Sequence, residues 1–172
     1  MTLPDWYVTP LHPSPPANPL LDWLCDQHSL TARLEAAGNC DFAVEVLHQG
    51  VEEARTDEAA ALDLSNMEPV WVREVLLHTR GAARVFARSV APLRLLEKSS
   101  LDLQQLGTRS LGELLFGTPN ISRGSLEISL YPAAWLPADL RQESCWARRS
   151  LFSDGKLHLL VCEVFLPGWP PA

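Results

Sequence analysis

Two charged residues stand inside apolar runs of this 172-residue chain, Glu163 in HLLVCEVFLP (158–167) and Arg73 in VWVREVLL (70–77). Together they could form an ion pair or serve a bound carboxylate. In a β-strand the side chains alternate between faces. Leu157, Leu159, Val161, Glu163 and Phe165 then share one face, and Trp71, Arg73, Val75 and Leu77 share a face of theirs. A charge buried among such neighbours needs a partner or a purpose. One reading is an ion pair, between the two residues or between Arg73 and an acid of a neighbouring strand. The other is a pocket in which Arg73 binds a carboxylate and Glu163 meets the far end of the ligand. Arginine suits the first role because its planar fork matches a carboxylate with two parallel hydrogen bonds. Pattern alone leaves both readings open.

Ser29 and Ser110 read as helix N-caps, which puts the backbone N–H groups of Leu30 and Leu111 at helix N-termini. Unpaired N–H groups there, helped by the helix dipole, attract anions. Every helix has such an end, so this carries little by itself, and the two leucine side chains read as core or pocket wall. Arg88, Arg148 and Arg149 could reach a second anionic group, but strand arginines are usually solvated or salt-bridged. His158, Trp135, Trp146 and Trp169 read as packing residues. No Ser-His-Asp or Cys-His arrangement and no Gly-rich phosphate loop stands out. The five histidines lack metal-ligand spacing, so no metal site is expected. Cys25, Cys40, Cys145 and Cys162 form no CxxC pair, and reduced thiols are expected.

The elements that must position these residues follow from local signals. Residues 1–18 carry five prolines and predict an extended arm, followed by a single domain over 19–172. Asn18-Pro19 predicts a helix start through LLDWLCDQ, and Ser29 opens a second helix that Gly38 stops. Strands are expected over 41–48, 69–78, 84–92 and 123–131, with TRGA as the turn of a hairpin. The acidic stretch 51–68 reads mainly as a loop. Short helices fit SLDLQQLG and SLGELLFG, the latter with Ser110 and Glu113 as a capping box and Gly117 as its stop. Residues 132–144 predict an irregular insertion. The chain closes with a hairpin of CWARRSLF, the turn SDG and KLHLLVCEVFLP. Because helices do not alternate with strands, the fold class is α+β: an antiparallel sheet of about six strands with helices packed on one face.

A net charge of −7 argues against a broad phosphate-binding surface and so against a nucleic-acid partner. No apolar run approaches the roughly 18 residues a membrane helix needs, so no membrane anchor is expected. The start, MTLPDWYVTP, lacks the basic and apolar regions of a secretory signal, and a cytoplasmic protein is expected.

The ordered series NPLLDWL, QHSLTARLE, VWVREVLL, VFARSVAP, LQQLGTRSLGELLF and WARRSLF…GKLHLLVCEVFLP resembles the chorismate pyruvate-lyase family from about residue 19 to 167. It departs at Leu30, where better-known members have Met, and over 131–145, where the match is poor and the segment looks enlarged. The resemblance implies a lyase that eliminates pyruvate from chorismate to give 4-hydroxybenzoate, the first committed step of ubiquinone biosynthesis. It implies a ligand enclosed between sheet and helical flaps, neither metal nor organic cofactor, and a monomer. Carried over by position, Arg73 and the amides of Leu30 and Leu111 hold the ring carboxylate, and Glu163 faces the ring hydroxyl as the catalytic carboxylate. An alternative on the same fold is a non-catalytic aromatic-acid-binding domain related to the ligand-sensing domains of GntR-type repressors. No basic helix-turn-helix segment fits before residue 19 to support it.

Overall fold

The computed structural model describes residues 3–65 and 67–172. Eight strands form one antiparallel sheet: β1 (Tyr7–Val8), β2 (Ala43–Glu53), β3 (Pro69–Thr79), β4 (Ala82–Pro92), β5 (Ser122–Arg123), β6 (Glu127–Leu130), β7 (Trp146–Ser153) and β8 (His158–Phe165). The order across the sheet is β1-β6-β7-β8-β4-β3-β2, with β5 added against β7. The six longer strands are those the alternation predicts. The count rises to eight because β1 and β5 are two residues each, too short to leave a periodic signal.

Three helices, α1 (Leu20–Cys25), α2 (Leu30–Ala37) and α5 (Leu111–Gly117), cover the face bearing Trp71, Val75, Leu77 and Val161. The opposite face, with Val70, Val72, Phe86 and Val164, is covered by α3 (Thr56–Ala61), Trp6 of the arm and the turns around Trp135 and Leu136. A single turn, α4 (Leu93–Leu96), follows β4. The stretch 51–68 is therefore more structured than its composition suggests. β2 continues to Glu53, and α3 begins where the Glu58 carboxylate accepts the Arg55 backbone N–H at 2.9 Å. Asn18 does not cap α1; Pro19 occupies the cap position without a side-chain bond. SLDLQQLG makes only a 3-10 turn, Leu103–Gln105, before Gly107 takes a left-handed φ of 57°.

Arg88 and Arg149 point to that opposite face. Arg88 Nε donates to Glu58 at 2.6 Å and its Nη1 to Glu74 at 2.8 Å, while Arg149 Nε donates to Glu127 at 2.8 Å. Burial lowers the pKa of Arg88, but Glu58 and Glu74 outweigh burial and the net shift is upward. Trp6 lies against this network, donating from Nε1 to Asp57 at 3.0 Å with the Arg149 guanidinium 4.4 Å above its ring. The proline-rich arm is thus held on the domain. Among the described residues, no helix is long and apolar enough to cross a membrane.

Candidate active site

The sheet face under α2 and α5 carries the site. Arg73 of β3 is 2% exposed. Its Nη1 donates to Gln49 Oε1 at 3.2 Å, and its Nη2 to the carbonyls of Gly107 and Arg109 at 2.8 and 3.2 Å. Among the described residues no carboxylate lies within 4 Å of it, since it takes part in none of the ion pairs. Burial alone pushes its pKa below the ordinary arginine value, the opposite of Arg88. Arg73 is a buried cation bound only to neutral oxygens, and it wants an anion.

The two carbonyls that Arg73 holds belong to the loop leading into Ser110, the N-cap of α5. Ser110 Oγ accepts the Glu113 N–H at 3.3 Å and shares a hydrogen bond of 2.6 Å with Thr31 Oγ1 of α2. Ser29 caps α2 by accepting the Ala32 N–H at 3.2 Å. The starts of α2 and α5 therefore meet above the same stretch of sheet. The N–H groups of Leu30 and Leu111 find no acceptor among the described residues. The Leu30 side chain is buried with Trp23 and Val75, and Leu111 leans on the neighbouring cluster.

Close approach of the two helices depends on Gly112. A Cβ there would sit 2.8 Å from Thr31 Oγ1. Gly112→Ala is expected to turn that hydroxyl away and break the Thr31–Ser110 bond. The cost of an unpaired buried hydroxyl exceeds the helix-propensity gain of alanine by about 1 kcal/mol. An earlier urea midpoint with unchanged slope would report it.

Glu163 of β8 does not pair with Arg73. Arg73 lies opposite Ser89, Ser89 opposite Val161, and Glu163 opposite Ala87. The two charges are two strands apart and two residues along, about 12 Å between Cα atoms from strand geometry. Glu163 pairs instead with Arg148 of β7, whose Nε donates to Oε2 at 2.6 Å. The Arg148 side chain is 1% exposed, and its Nη1 also donates to the carbonyls of Trp23 and Asp26, fastening α1 and the loop after it to the sheet. Glu163 keeps Oε1 uncommitted among the described residues and is 14% exposed.

Between these groups lies a pocket lined by Leu30, Thr31, Arg73, Ser110, Leu111 and Glu163, with Val75, Ala87, Leu115 and Phe152 among its apolar walls. Its cavity volume is about 40 Å³. All four residues singled out from the sequence border this one cavity. No cluster of metal-ligating side chains occurs among the described residues.

A family model described as chorismate lyase matches residues 9–170. The chain belongs to the chorismate lyase family. Two relatives span most of it. A probable chorismate pyruvate-lyase of Pseudomonas aeruginosa (strain UCBPP-PA14) is 52% identical over 154 residues, covering 89% of this chain and 86% of the relative. A probable chorismate pyruvate-lyase 2 of Pseudomonas entomophila is 50% identical over 155 residues, covering 90% and 84%. Among solved structures the fold resembles the effector domain of PhnF from Mycobacterium smegmatis, with a TM-score of 0.54 at 15% identity over 83% of this chain and 90% of that one. A GntR-family regulator from Enterococcus faecalis V583 gives 0.52 at 12% identity, covering 73% and 89%. At such identities the likeness is one of fold.

Within this chorismate lyase chain, sequence reasoning missed three features of the site. Arg148 is the partner of Glu163, Gln49 and the 107–109 loop are the partners of Arg73, and Arg123 lines the same pocket. Arg148 was legible only as a strand arginine, because the pairing depends on the register of β7 against β8. Arg123 stands at the first position of the strand expected over 123–131 and carried no signal of a site; it ends the two-residue β5 instead.

Proposed function

We infer that the chain removes pyruvate from chorismate and releases 4-hydroxybenzoate. The observation that carries the reading is a buried arginine that, among the described residues, has no counter-anion at one end of a pocket, and a carboxylate with one oxygen uncommitted among them at the other. The ring carboxylate sits on Arg73 and the N–H groups of Leu30 and Leu111. The ring hydroxyl, para to it, lies at Glu163 Oε1, the oxygen that Arg148 leaves free. The separation between Arg73 and Glu163 suits a ring set lengthwise between two side chains.

The reaction breaks the bond from ring carbon C3 to the ether oxygen and removes the hydrogen on C4. The ring becomes aromatic, and the released enolpyruvate takes up a proton to become pyruvate. The change is redox-neutral, and aromatisation drives it, so the protein's work is orientation, charge placement and exclusion of water. Glu163 either receives the C4 proton or holds the hydroxyl while the methylene carbon of the departing arm takes the hydrogen. Chorismate deuterated at C4 separates the two, since only internal transfer delivers deuterium to the pyruvate methyl group. A pocket of about 40 Å³ admits such a ring when α2 and α5 part. Opening of this pair is then expected to govern product release.

Purified protein with chorismate should form 4-hydroxybenzoate and pyruvate in equal amounts. Tight 4-hydroxybenzoate binding without turnover would sink the reading in favour of a sensing or carrier domain. The same reading places the product on the route to ubiquinone, the protein in the cytoplasm and the active unit as a monomer.

A further inference from the structure

Arg123, the residue that joins β5 to the turn before β6, is the third arginine of the pocket after Arg73 and Arg148. Its Nε donates to Ser150 Oγ at 2.9 Å and its Nη1 to the Gln27 carbonyl at 2.9 Å. No carboxylate lies within 4 Å of it among the described residues, as it belongs to none of the ion pairs. The aromatic rings of Phe116 and Phe152 flank its guanidinium at 5.8 and 5.1 Å. The fork is therefore aimed and steadied, with Nη2 left for another acceptor. Ser150 lies on β7, next to β8 and three strands from β3 in the order β7-β8-β4-β3, so Arg123 sits on the Glu163 side of the pocket. Burial and the Arg148 charge push its pKa down, while Glu163 and Asp26 push back.

A substrate held as described above, ring carboxylate on Arg73 and hydroxyl at Glu163, carries its enolpyruvyl ether on the carbon next to the hydroxyl. The second carboxylate, on that arm, must then lie beside Glu163 and off the ring axis. Arg148 is already committed to Glu163 and two carbonyls, so among the described residues the cation at that end without a carboxylate partner is Arg123. We propose that Arg123 binds the carboxylate of the substrate's departing three-carbon arm and so distinguishes the dicarboxylate substrate from the monocarboxylate product. The assignment rests on the reading of the site as a chorismate pocket. Loss of the arm removes one anion from the pocket and leaves Arg123 uncompensated, while the contacts of the ring with Arg73 persist.

The test uses the full chain and two stable ligands, 3-(carboxymethoxy)benzoate and 3-ethoxybenzoate, which differ in the carboxylate on the meta arm. The wild-type protein should bind the dicarboxylate about 10-fold or more tightly than the monocarboxylate, as expected for one charge-assisted hydrogen bond. Arg123→Gln should abolish that preference and raise KM for chorismate by a similar factor, with 4-hydroxybenzoate affinity within about two-fold. Arg123→Lys should restore part of the preference, which a purely structural role would not do. Equal losses for both ligands in Arg123→Gln, or a preference that survives the substitution, would overturn the proposal. So would the absence of any preference in the wild-type protein, a result that needs no variant to fold. Preference for the dicarboxylate without chorismate turnover would leave Arg123 in its role and reject the reaction.

Discussion

Replacing Glu163 with Gln is expected to lower chorismate turnover by about 10²-fold or more while 4-hydroxybenzoate affinity changes no more than a few-fold. The amide is nearly the same shape and still offers an oxygen to the ring hydroxyl, so binding is preserved. It cannot serve as the base, and it removes the charge that the proposed reading sets beside the reacting carbon. Arg148 complicates the experiment in a way the geometry makes plain. It is almost wholly buried and loses its counter-charge, and breaking a buried pair commonly costs about 3–5 kcal/mol. Its bonds to the Trp23 and Asp26 carbonyls and the partial openness of Glu163 put the cost near the lower end. Turnover should therefore be measured well below the variant's melting temperature. A loss of only about 10-fold would mean that the hydrogen goes to the departing arm and Glu163 merely orients. Near-full activity in a folded variant would remove Glu163 from the mechanism.

Arg73→Ala should act differently, weakening chorismate and 4-hydroxybenzoate together by roughly 10²–10³-fold, because both ligands present the same ring carboxylate. Truncation also strands the carbonyls of Gly107 and Arg109, which the guanidinium holds against the sheet. Arg73→Lys keeps the charge without the fork and should recover affinity only in part. The two variants thus split the site into a binding end and a reacting end. A titration of 4-hydroxybenzoate beside the turnover assay checks this. If Arg73→Ala left product affinity intact, the ring carboxylate would have to sit elsewhere.

What the sequence disclosed follows the range of each signal. The alternation through VWVREVLL and HLLVCEVFLP, and the serine caps before Leu30 and Leu111, are local, and the structure keeps them. The period of two grouped Glu163 and Arg73 each with the apolar face of its own strand, but that the two faces coincide depends on the register of both strands against β4. The partner of Glu163 could not be read off, since Arg148 meets it only through the register of two strands. The stretch 51–68 misled because its acids suggested solvent, whereas Glu58 turns inward to Arg88, a contact 30 residues away. The arm's pairing of Tyr7 with Ile128 spans still more chain and leaves no local trace.

The place of β8 in the sheet, between β7 and β4, bears on how the chain is made. The strand that carries Glu163 follows the other seven described strands in the chain, yet it lies in the interior of the sheet. Until it emerges, the nascent chain has β4 as an open edge with nothing to close it, and the β2-β3-β4 and β6-β7 parts have no common core. Such an edge invites pairing with other chains. Assembly must then wait for contacts between distant parts of the chain, the slow kind. A chain held for long in this window exposes that edge and is prone to aggregate. The Glu163 carboxylate arrives in the same step that closes the sheet, so no chain still lacking β8 carries the complete pocket.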